Sequence, residues 1–307
     1  MKRKVFIIAN PAAGSSSLKK IDKAFKAVKS GCADAELLLT QAPLDAEQYA
    51  RRIADEYGAG SSLSKIIVIA AGGDGTYNEA ANGLAHSGIP LAILPMGTTS
   101  VLALELDIPF NIDAAAAAAL NGFTIKVSPA KITLSDGSSR LFLLMAGIGF
   151  DGETVNNVNK IIKKLSGKAA YIMSGISTLL AGQELFSADI TDDRGVISTI
   201  ECSALIASKA SHYAGKFSAT PDAKITSPYI HLFAGHSSKR IDVARYVFGI
   251  ASGRHLGFND ITYTKSTRLV INGSPHIQID GDYLGRGPAV IESEPEALSI
   301  VVSRSWS

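Results

Sequence analysis

Hydrophobic positions change their rhythm once along the chain. Over residues 1–123, short apolar runs at 5–9, 36–39, 66–70 and 91–94 alternate with stretches of helical spacing. Ile21, Phe25 and Val28 mark one helical face, and Ala46, Tyr49, Ala50, Ile53, Ala54 and Tyr57 mark another. Asn111-Ile112-Asp113 opens an alanine-rich helix that Asn121-Gly122 ends. This alternation predicts an α/β N-terminal domain, a parallel sheet with helices on both faces. From residue 124 the rhythm turns strand-like, with runs at 125–134, 141–145, 197–206, 229–234, 261–263, 268–271 and 276–279. Turn signals separate them, among them Asp136-Gly137, Asp192-Asp193-Arg194-Gly195 and Asn272-Gly273. They predict a C-terminal antiparallel β-sandwich over 124–293, with a helical insertion near 153–182. Ligands in such a layout are expected in a cleft between the two domains.

One junction in this pattern carries chemistry. The apolar run 66–70 feeds Ala71-Gly72-Gly73-Asp74-Gly75-Thr76, and Tyr77-Asn78-Glu79-Ala80-Ala81-Asn82 continues with helix-forming composition. A glycine turn lets backbone N–H groups approach a ligand, and a helix N-terminus favours an anion such as phosphate. Asp74 in that position calls for a cation, and Mg²⁺ takes oxygen from carboxylate and phosphate together.

Composition narrows the rest. With 46% apolar and 19% charged residues, the chain builds a large core and is not globally disordered. A net charge of +2 gives no case for nucleic acid. Cys32 and Cys202 have no metal or redox spacing, and neither do the six histidines. The basic start Met1-Lys2-Arg3-Lys4 precedes an apolar stretch too short for a signal peptide. No run reaches the ~18 apolar residues of a spanning helix. A cytoplasmic chain is expected, with oligomeric state open and a homodimer included.

Several motifs together resemble a known family. Gly72-Gly73-Asp74-Gly75-Thr76 is similar to the signature shared by diacylglycerol kinases, sphingosine kinases, bacterial lipid kinases and NAD kinases. Asn10-Pro11-Ala12-Ala13-Gly14 resembles the family's nucleotide loop, and Thr40 stands where the family often has a threonine touching ATP. Pro95-Met96-Gly97-Thr98-Thr99, Gly147-Ile148-Gly149-Phe150-Asp151, Gly167-Lys168-Ala169-Ala170-Tyr171 and Asp280-Gly281-Asp282 follow in the family's order. The lipid-kinase branch fits along nearly the whole chain. The resemblance also suggests that the last strand, Leu298–Val302, with the tail 294–307, returns to the first domain.

The resemblance implies an ATP-dependent lipid kinase using Mg²⁺, with diacylglycerol or a related lipid as acceptor. Nucleotide contacts would come from Asn10, Pro11, Gly14, Thr40, Gly72, Gly73, Gly75, Thr76, Asn78, Glu79, Gly97 and Thr98. Asp74 would hold the nucleotide's Mg²⁺, directly or through water. The family's base falls within the Asp280-Gly281-Asp282 motif. If the strand persists through Gly281, both carboxylates face one side; otherwise the segment is a hairpin turn. Both are candidates, and Asp282 stands where a glutamate is usual. Asp151 would face the substrate cleft. The formal G-x-G-x-x-G at 147–152 lacks the acidic residue that a dinucleotide site needs in 166–183, so it reads as a bend.

Departures matter as well. Ser100 replaces a common asparagine. Bacterial members place an Asp-Asp-Gly turn after Pro221-Asp222-Ala223 to hold a structural Mg²⁺. Here it reads Thr226-Ser227-Pro228, so no structural metal is expected there and Asp222 is a weak ligand candidate. Lys160, Lys163, Lys164 and Lys168 among Ile161, Ile162 and Leu165 suit either a solvated helix face or transient contact with an anionic inner membrane face. The rival readings are an NAD kinase-like activity and a non-catalytic binder of nucleotide or lipid. Against the first, no second Asn-Glu pair follows Asn78-Glu79.

Overall fold

The computed structural model describes residues 3–12, 18–32, 34–58, 65–97, 100–162, 184–213 and 215–306. Gly14, Thr98, Lys163, Lys164 and the 167–171 motif lie outside them, as does the insertion beyond residue 162. The chain divides into two compact units, residues 1–129 with 295–307, and residues 130–294.

The first unit runs β1 (Lys4–Ala9), α1 (Leu18–Gly31), β2 (Asp34–Leu39), α2 (Asp45–Tyr57), β3 (Ile66–Gly72), α3 (Asp74–Leu84) and β4 (Pro90–Pro95). α4 (Val101–Glu105), α5 (Ile112–Asn121) and β5 (Phe123–Val127) follow, and the final strand, β18 (Leu298–Val302), returns to it. The sheet order is β2-β1-β3-β4-β18-β5, parallel except for β5 against β18. Every residue of β3 is buried, as a strand covered on both faces requires.

The order reverses between β1 and β3. From β1 the chain steps outward to β2; from β3 it steps the other way to β4. Right-handed crossovers then put α1 on one face and α3 on the other. α2 packs on α3, and α1 packs on α5. The carboxyl ends of β1 and β3 therefore flank a topological switch point, where open α/β sheets bind ligands.

The second unit begins with β6 (Ala130–Leu134), β7 (Ser139–Phe142), β8 (Met145–Gly149) and α6 (Phe150–Ile162). After β9 (Phe186–Thr191), β10 (Ile197–Cys202), β11 (Ala204–Ser208) and β12 (Ile230–Gly235) comes α7 (Arg240–Ser252). β13 (Ile261–Ser266), β14 (Arg268–Ile271), β15 (His276–Ile279), β16 (Asp282–Arg286) and β17 (Ala289–Ser293) complete it. Two antiparallel sheets result, β10-β9-β14-β17-β6-β7 and β13-β12-β11-β8-β15-β16. Between them Ile148, Leu205, Leu232, Leu269, Ile277 and Ile291 are buried in one core. Each such side chain contributes about 1.5–3 kcal/mol.

Three apolar runs divide where the sequence showed no break. The run 125–134 is β5 and β6, split at Ser128-Pro129 and lying in different units. The run 197–206 is β10 and β11, in different sheets. Between them Ser203 donates its hydroxyl to the Ser237 carbonyl and its amide to the Gly235 carbonyl. The run 141–145 breaks at Leu143-Leu144, whose amides a distant carboxylate takes. The residues at these crossings, 127–130, 202–204 and 143–144, are all buried, so the apolar pattern runs on where the chain changes partners. Helix α7 also escaped the pattern, being apolar on nearly every side.

Candidate active site

At the switch point the backbone builds a concave edge. The Asn10 amide donates to the Ala71 carbonyl at 3.0 Å, and the Thr40 amide to the Ala9 carbonyl at 2.9 Å. These bonds align the ends of β1, β2 and β3. The Asn10 side chain is fixed from both ends. Its Oδ1 accepts the Ala12 N–H at 2.8 Å, and its Nδ2 donates to Thr76 Oγ1 at 3.4 Å. Thr76 is buried and its side chain fills the space beside Gly72, where a Cβ would lie 2.5 Å from Thr76 Oγ1.

Gly73 differs from Gly72. It is the N-cap of α3, extended at φ −114°, and no side chain caps the helix. A Cβ there meets nothing within 4 Å. The first amides of α3 therefore face open space at the positive end of the helix dipole, an arrangement that accepts phosphate oxygens. Tyr77, fully buried, donates its hydroxyl to the Gly72 carbonyl at 2.7 Å and holds the turn from beneath.

Asp74 has structural work of its own. Its carboxylate accepts the Val101 and Leu102 N–H groups, both at 3.0 Å, and the Ser100 hydroxyl at 3.3 Å. Ser100 in turn accepts the Ala103 N–H as N-cap of α4. The carboxylate thus anchors the start of α4 to the glycine turn. Burial pushes its pKa up, and the hydrogen bonds oppose that. With three bonds accepted, Oδ2 keeps one lone pair for a phosphate-bound Mg²⁺ or its water.

Two other sequence candidates, Glu79 and Asn78, are engaged within the helices. Glu79 reaches back to α2 and accepts the Ala46 N–H at 3.2 Å, supplying the cap that α2 lacks at Leu44. Asn78 is buried and accepts from Asn82. Pro11 and Gly97 lie in the loops after β1 and β4. Lys20, which sequence reasoning passed over, donates to the Met96 carbonyl at 3.5 Å. The Met96 amide in turn donates to Gly72. A half-buried cation thus stands by the strand ends; its only signal was a basic pair at the start of α1.

In the second unit, Asp280-Gly281-Asp282 is a hairpin turn, and the strand does not persist through Gly281. β15 ends at Ile279 and β16 starts at Asp282, which pairs with Ile279. Asp280 and Gly281 have φ of +48° and +93°, as both central residues of a type I′ turn require. The two carboxylates therefore differ in environment. Asp280 accepts the amides of Leu143, Leu144 and Met145 at 2.8, 2.9 and 3.0 Å. Asp282 accepts no hydrogen bond from the described residues, and its side chain is exposed. The protein around it still pushes its carboxyl above the ordinary value, with Arg140 pulling the other way.

Asp151 is tied to that turn and also lines a cavity. It accepts the Tyr213 hydroxyl and, at 2.6 Å, Gln278 Nε2. Gln278 Oε1 accepts the Gly281 N–H at 2.9 Å. Burial pushes both the Asp151 carboxyl and the Tyr213 hydroxyl up. The glycines of 147–152 serve this packing. A Cβ on Gly147 would lie 1.7 Å from Asp151 Oδ2. Gly149 takes φ +76° so that the chain can turn from β8 into α6. Beside the pair, Phe150, Ile206, Phe233, Tyr246 and Ile250 line an apolar cavity of about 230 Å³.

The remaining metal candidate is committed elsewhere. Asp222 accepts the Tyr263 hydroxyl at 2.8 Å. The carbonyls of Ser227, inside the altered turn, and Tyr229, just after it, are bound by Lys209 Nζ at 2.6 and 2.7 Å. Among the described residues no three acidic, histidine or cysteine side chains cluster as a metal site, and no helix is long and apolar enough to cross a membrane.

Comparison with known proteins agrees with this architecture. Residues 4–132 match the diacylglycerol kinase catalytic domain, and residues 145–302 match the YegS C-terminal NAD kinase beta sandwich-like domain. A diacylglycerol kinase of Staphylococcus epidermidis is 26% identical over 94% of this chain and 89% of its own. An uncharacterized protein of Synechocystis is 27% identical over 96% of this chain and 69% of its own. A solved structure from Bacillus anthracis strain Sterne superposes with a TM-score of 0.76 at 25% identity, covering 99% of this chain and 98% of that one. Another from that strain, described as a diacylglycerol kinase, gives 0.70 at 23% identity. With both of its units matched in chain order, the protein belongs to the diacylglycerol kinase catalytic-domain family, the group of the bacterial lipid kinases.

Proposed function

We propose that the protein transfers the γ-phosphoryl group of ATP to the hydroxyl of a lipid, diacylglycerol or a close relative. The observation that carries this reading is the uncapped N-terminus of α3, opened by Gly73 at the switch point. Phosphoryl transfer asks little covalent chemistry of a protein; it asks for positioned phosphates, neutralised charge and an oriented acceptor. The α3 amides and Asn10 hold the phosphates, and Lys20 adds positive charge. Mg²⁺ would come with the nucleotide and reach Asp74 through the remaining Oδ2 lone pair, offsetting phosphate charge.

Asp282 is the base in this reading. The acceptor oxygen attacks the γ-phosphorus, the bond from that phosphorus to the β–γ bridging oxygen breaks, ADP leaves, and the hydroxyl proton passes to Asp282. Asp280 keeps its three amides and shapes the turn that presents Asp282. The mostly apolar cavity beside Asp151 and Tyr213 suits the hydrocarbon part of a lipid.

The test is incubation of the protein with γ-labelled ATP, Mg²⁺ and a panel of lipid alcohols in detergent micelles, with NAD in a parallel arm. Label in a lipid supports the reading. Label in NAD alone replaces it with the NAD kinase-like activity. Nucleotide binding with no labelled product makes the protein a non-catalytic member.

A further inference from the structure

Helix α7 is apolar on the wrong side. Its inner stripe, Val243, Tyr246 and Ile250, is buried in the second unit. The outward stripe is Ile241, Ala244, Phe248 and Ala251 at helical spacing, with Arg245 and Ser252 along one edge. Ile241 is 77% exposed and Phe248 74%. Val247, Phe217 and Leu256 are also exposed. Val247 and Phe217 line the mouth of the apolar cavity described above. Apolar surface therefore runs unbroken from the outside of α7 into the interior. Scattered apolar residues on a surface need no explanation, but a continuous aromatic and aliphatic patch does.

Charge around the patch selects the occupant. Lys216 adjoins Phe217, Lys239 and Arg240 begin the helix, and Arg254 follows its end; all are exposed. None forms an ion pair among the described residues. The nearby carboxylates, Asp242 and Asp260, are already paired with Arg245 at 3.1 and 2.6 Å. A second copy meeting this surface through the same face would bring the same cations against them. An anionic bilayer supplies both parts of the match. Phe and Ile enter the boundary between headgroups and acyl chains, and the basic rim meets the phosphates.

We infer that the outer face of α7, with Phe217 and Leu256, docks the protein on anionic membranes. The surface extends the lipid-acceptor reading, because it opens a path for a lipid from the bilayer to the cavity along apolar side chains. It is measured without catalysis.

The experiment is cosedimentation of the full chain with vesicles of phosphatidylcholine alone or mixed with phosphatidylglycerol, without ATP or diacylglycerol. Binding to the anionic vesicles is expected, falling as salt rises. Ile241→Glu with Phe248→Glu lowers it about tenfold or more, since immersed apolar area is lost and charge is gained. Replacing Lys239, Arg240 and Arg254 with Gln weakens binding severalfold and flattens its salt dependence. Circular dichroism melts stay unchanged, because the substituted side chains are exposed. Wild-type protein that ignores anionic vesicles, or a double variant that binds as well as wild type, overturns the inference. So does a wild-type dimer that the double variant converts to monomer in the ultracentrifuge while vesicle binding is unaltered. Lipid phosphorylation in micelles without vesicle binding rejects the docking surface alone. Vesicle binding without any product rejects the kinase reading alone.

Discussion

Gln278 connects Asp151 to the acidic turn, donating to the Asp151 carboxylate at 2.6 Å and accepting the Gly281 N–H at 2.9 Å. One side chain thus joins the start of α6 to the tip of the β15–β16 hairpin. Gln278→Leu leaves Gly281 unpinned and Asp151 with one donor fewer. The expected result is a ~10- to 100-fold fall in kcat, since misplacement of a reacting group by about 1 Å costs that much, while KM for ATP is unchanged. Gln278→Glu keeps the acceptor for Gly281 but sets two carboxyls face to face, and should restore only part of the activity. If KM for ATP rises with Gln278→Leu instead, the side chain does not act through the turn.

The two aspartates of the turn are separated by what they hold. Asp282→Asn is expected to cut kcat by ~10²- to 10⁴-fold, the worth of a positioned base, with the melting temperature unchanged. Asp280→Asn turns an amide NH₂ toward main-chain N–H groups and should cost about 2–4 kcal/mol of stability, seen as a lower urea midpoint. A base works only when deprotonated, and loss of solvation beside the neighbouring protein raises the pKa of Asp282. Activity should therefore fall as pH drops through a value above 3.8, and this acid limb should vanish in the residual activity of Asp282→Asn. Loss of activity in Asp280→Asn at full stability, with Asp282→Asn active, would reverse the assignment.

Much of this architecture is written in local pattern. Both faces of β3 are covered, so its apolar run carries the signature of a central parallel strand, and Gly72-Gly73 marks where the backbone opens. What a long side chain meets is another matter. Glu79 lies in the glycine motif yet caps α2, because only the packing of α2 on α3 brings Ala46 within reach. Asp280 looks like half of a paired acid, but three amides from a strand junction 135 or more positions earlier claim it. Local spacing also could not separate a strand through Gly281 from a turn; the positive φ of Asp280 decides it. The return of β18 beside β4 is a tertiary fact that no periodicity encodes.

Gly72 and Gly73 are adjacent and should fail for different reasons. In Gly72→Ala the new methyl meets Thr76 Oγ1 at 2.5 Å and Thr76 Cβ at 2.7 Å, so a buried side chain must move, costing about 1–3 kcal/mol. In Gly73→Ala the methyl has nothing within 4 Å and φ is negative, so the fold is untouched. It projects into the space assigned to phosphate. Gly73→Ala should keep the wild-type melting curve and weaken ATP binding about tenfold or more in calorimetry. Unchanged affinity would move the nucleotide away from α3.

Lys209 is fully buried and binds the Ser227 and Tyr229 carbonyls at 2.6 and 2.7 Å and Ser293 Oγ at 3.1 Å. Burial brings its pKa down to about 7 from 10.5. An uncharged amine still has two N–H groups for the two carbonyls and a lone pair for the Ser293 hydroxyl. Lys209→Met orphans both carbonyls, at about 1–3 kcal/mol each, and should lower the urea midpoint accordingly. The pH dependence identifies the cause. Below pH 7 the lysine is protonated in both folded and unfolded chains, and the folded state bears the full cost of a buried charge. Between about 7 and 10.5 the unfolded chain keeps the proton and the folded chain gives it up, so stability rises with pH by up to about 1.4 kcal/mol per unit. That rise should be present in wild type and absent in Lys209→Met, the difference between the two slopes cancelling every other titrating group. Parallel slopes across that window would mean that Lys209 stays charged inside the protein.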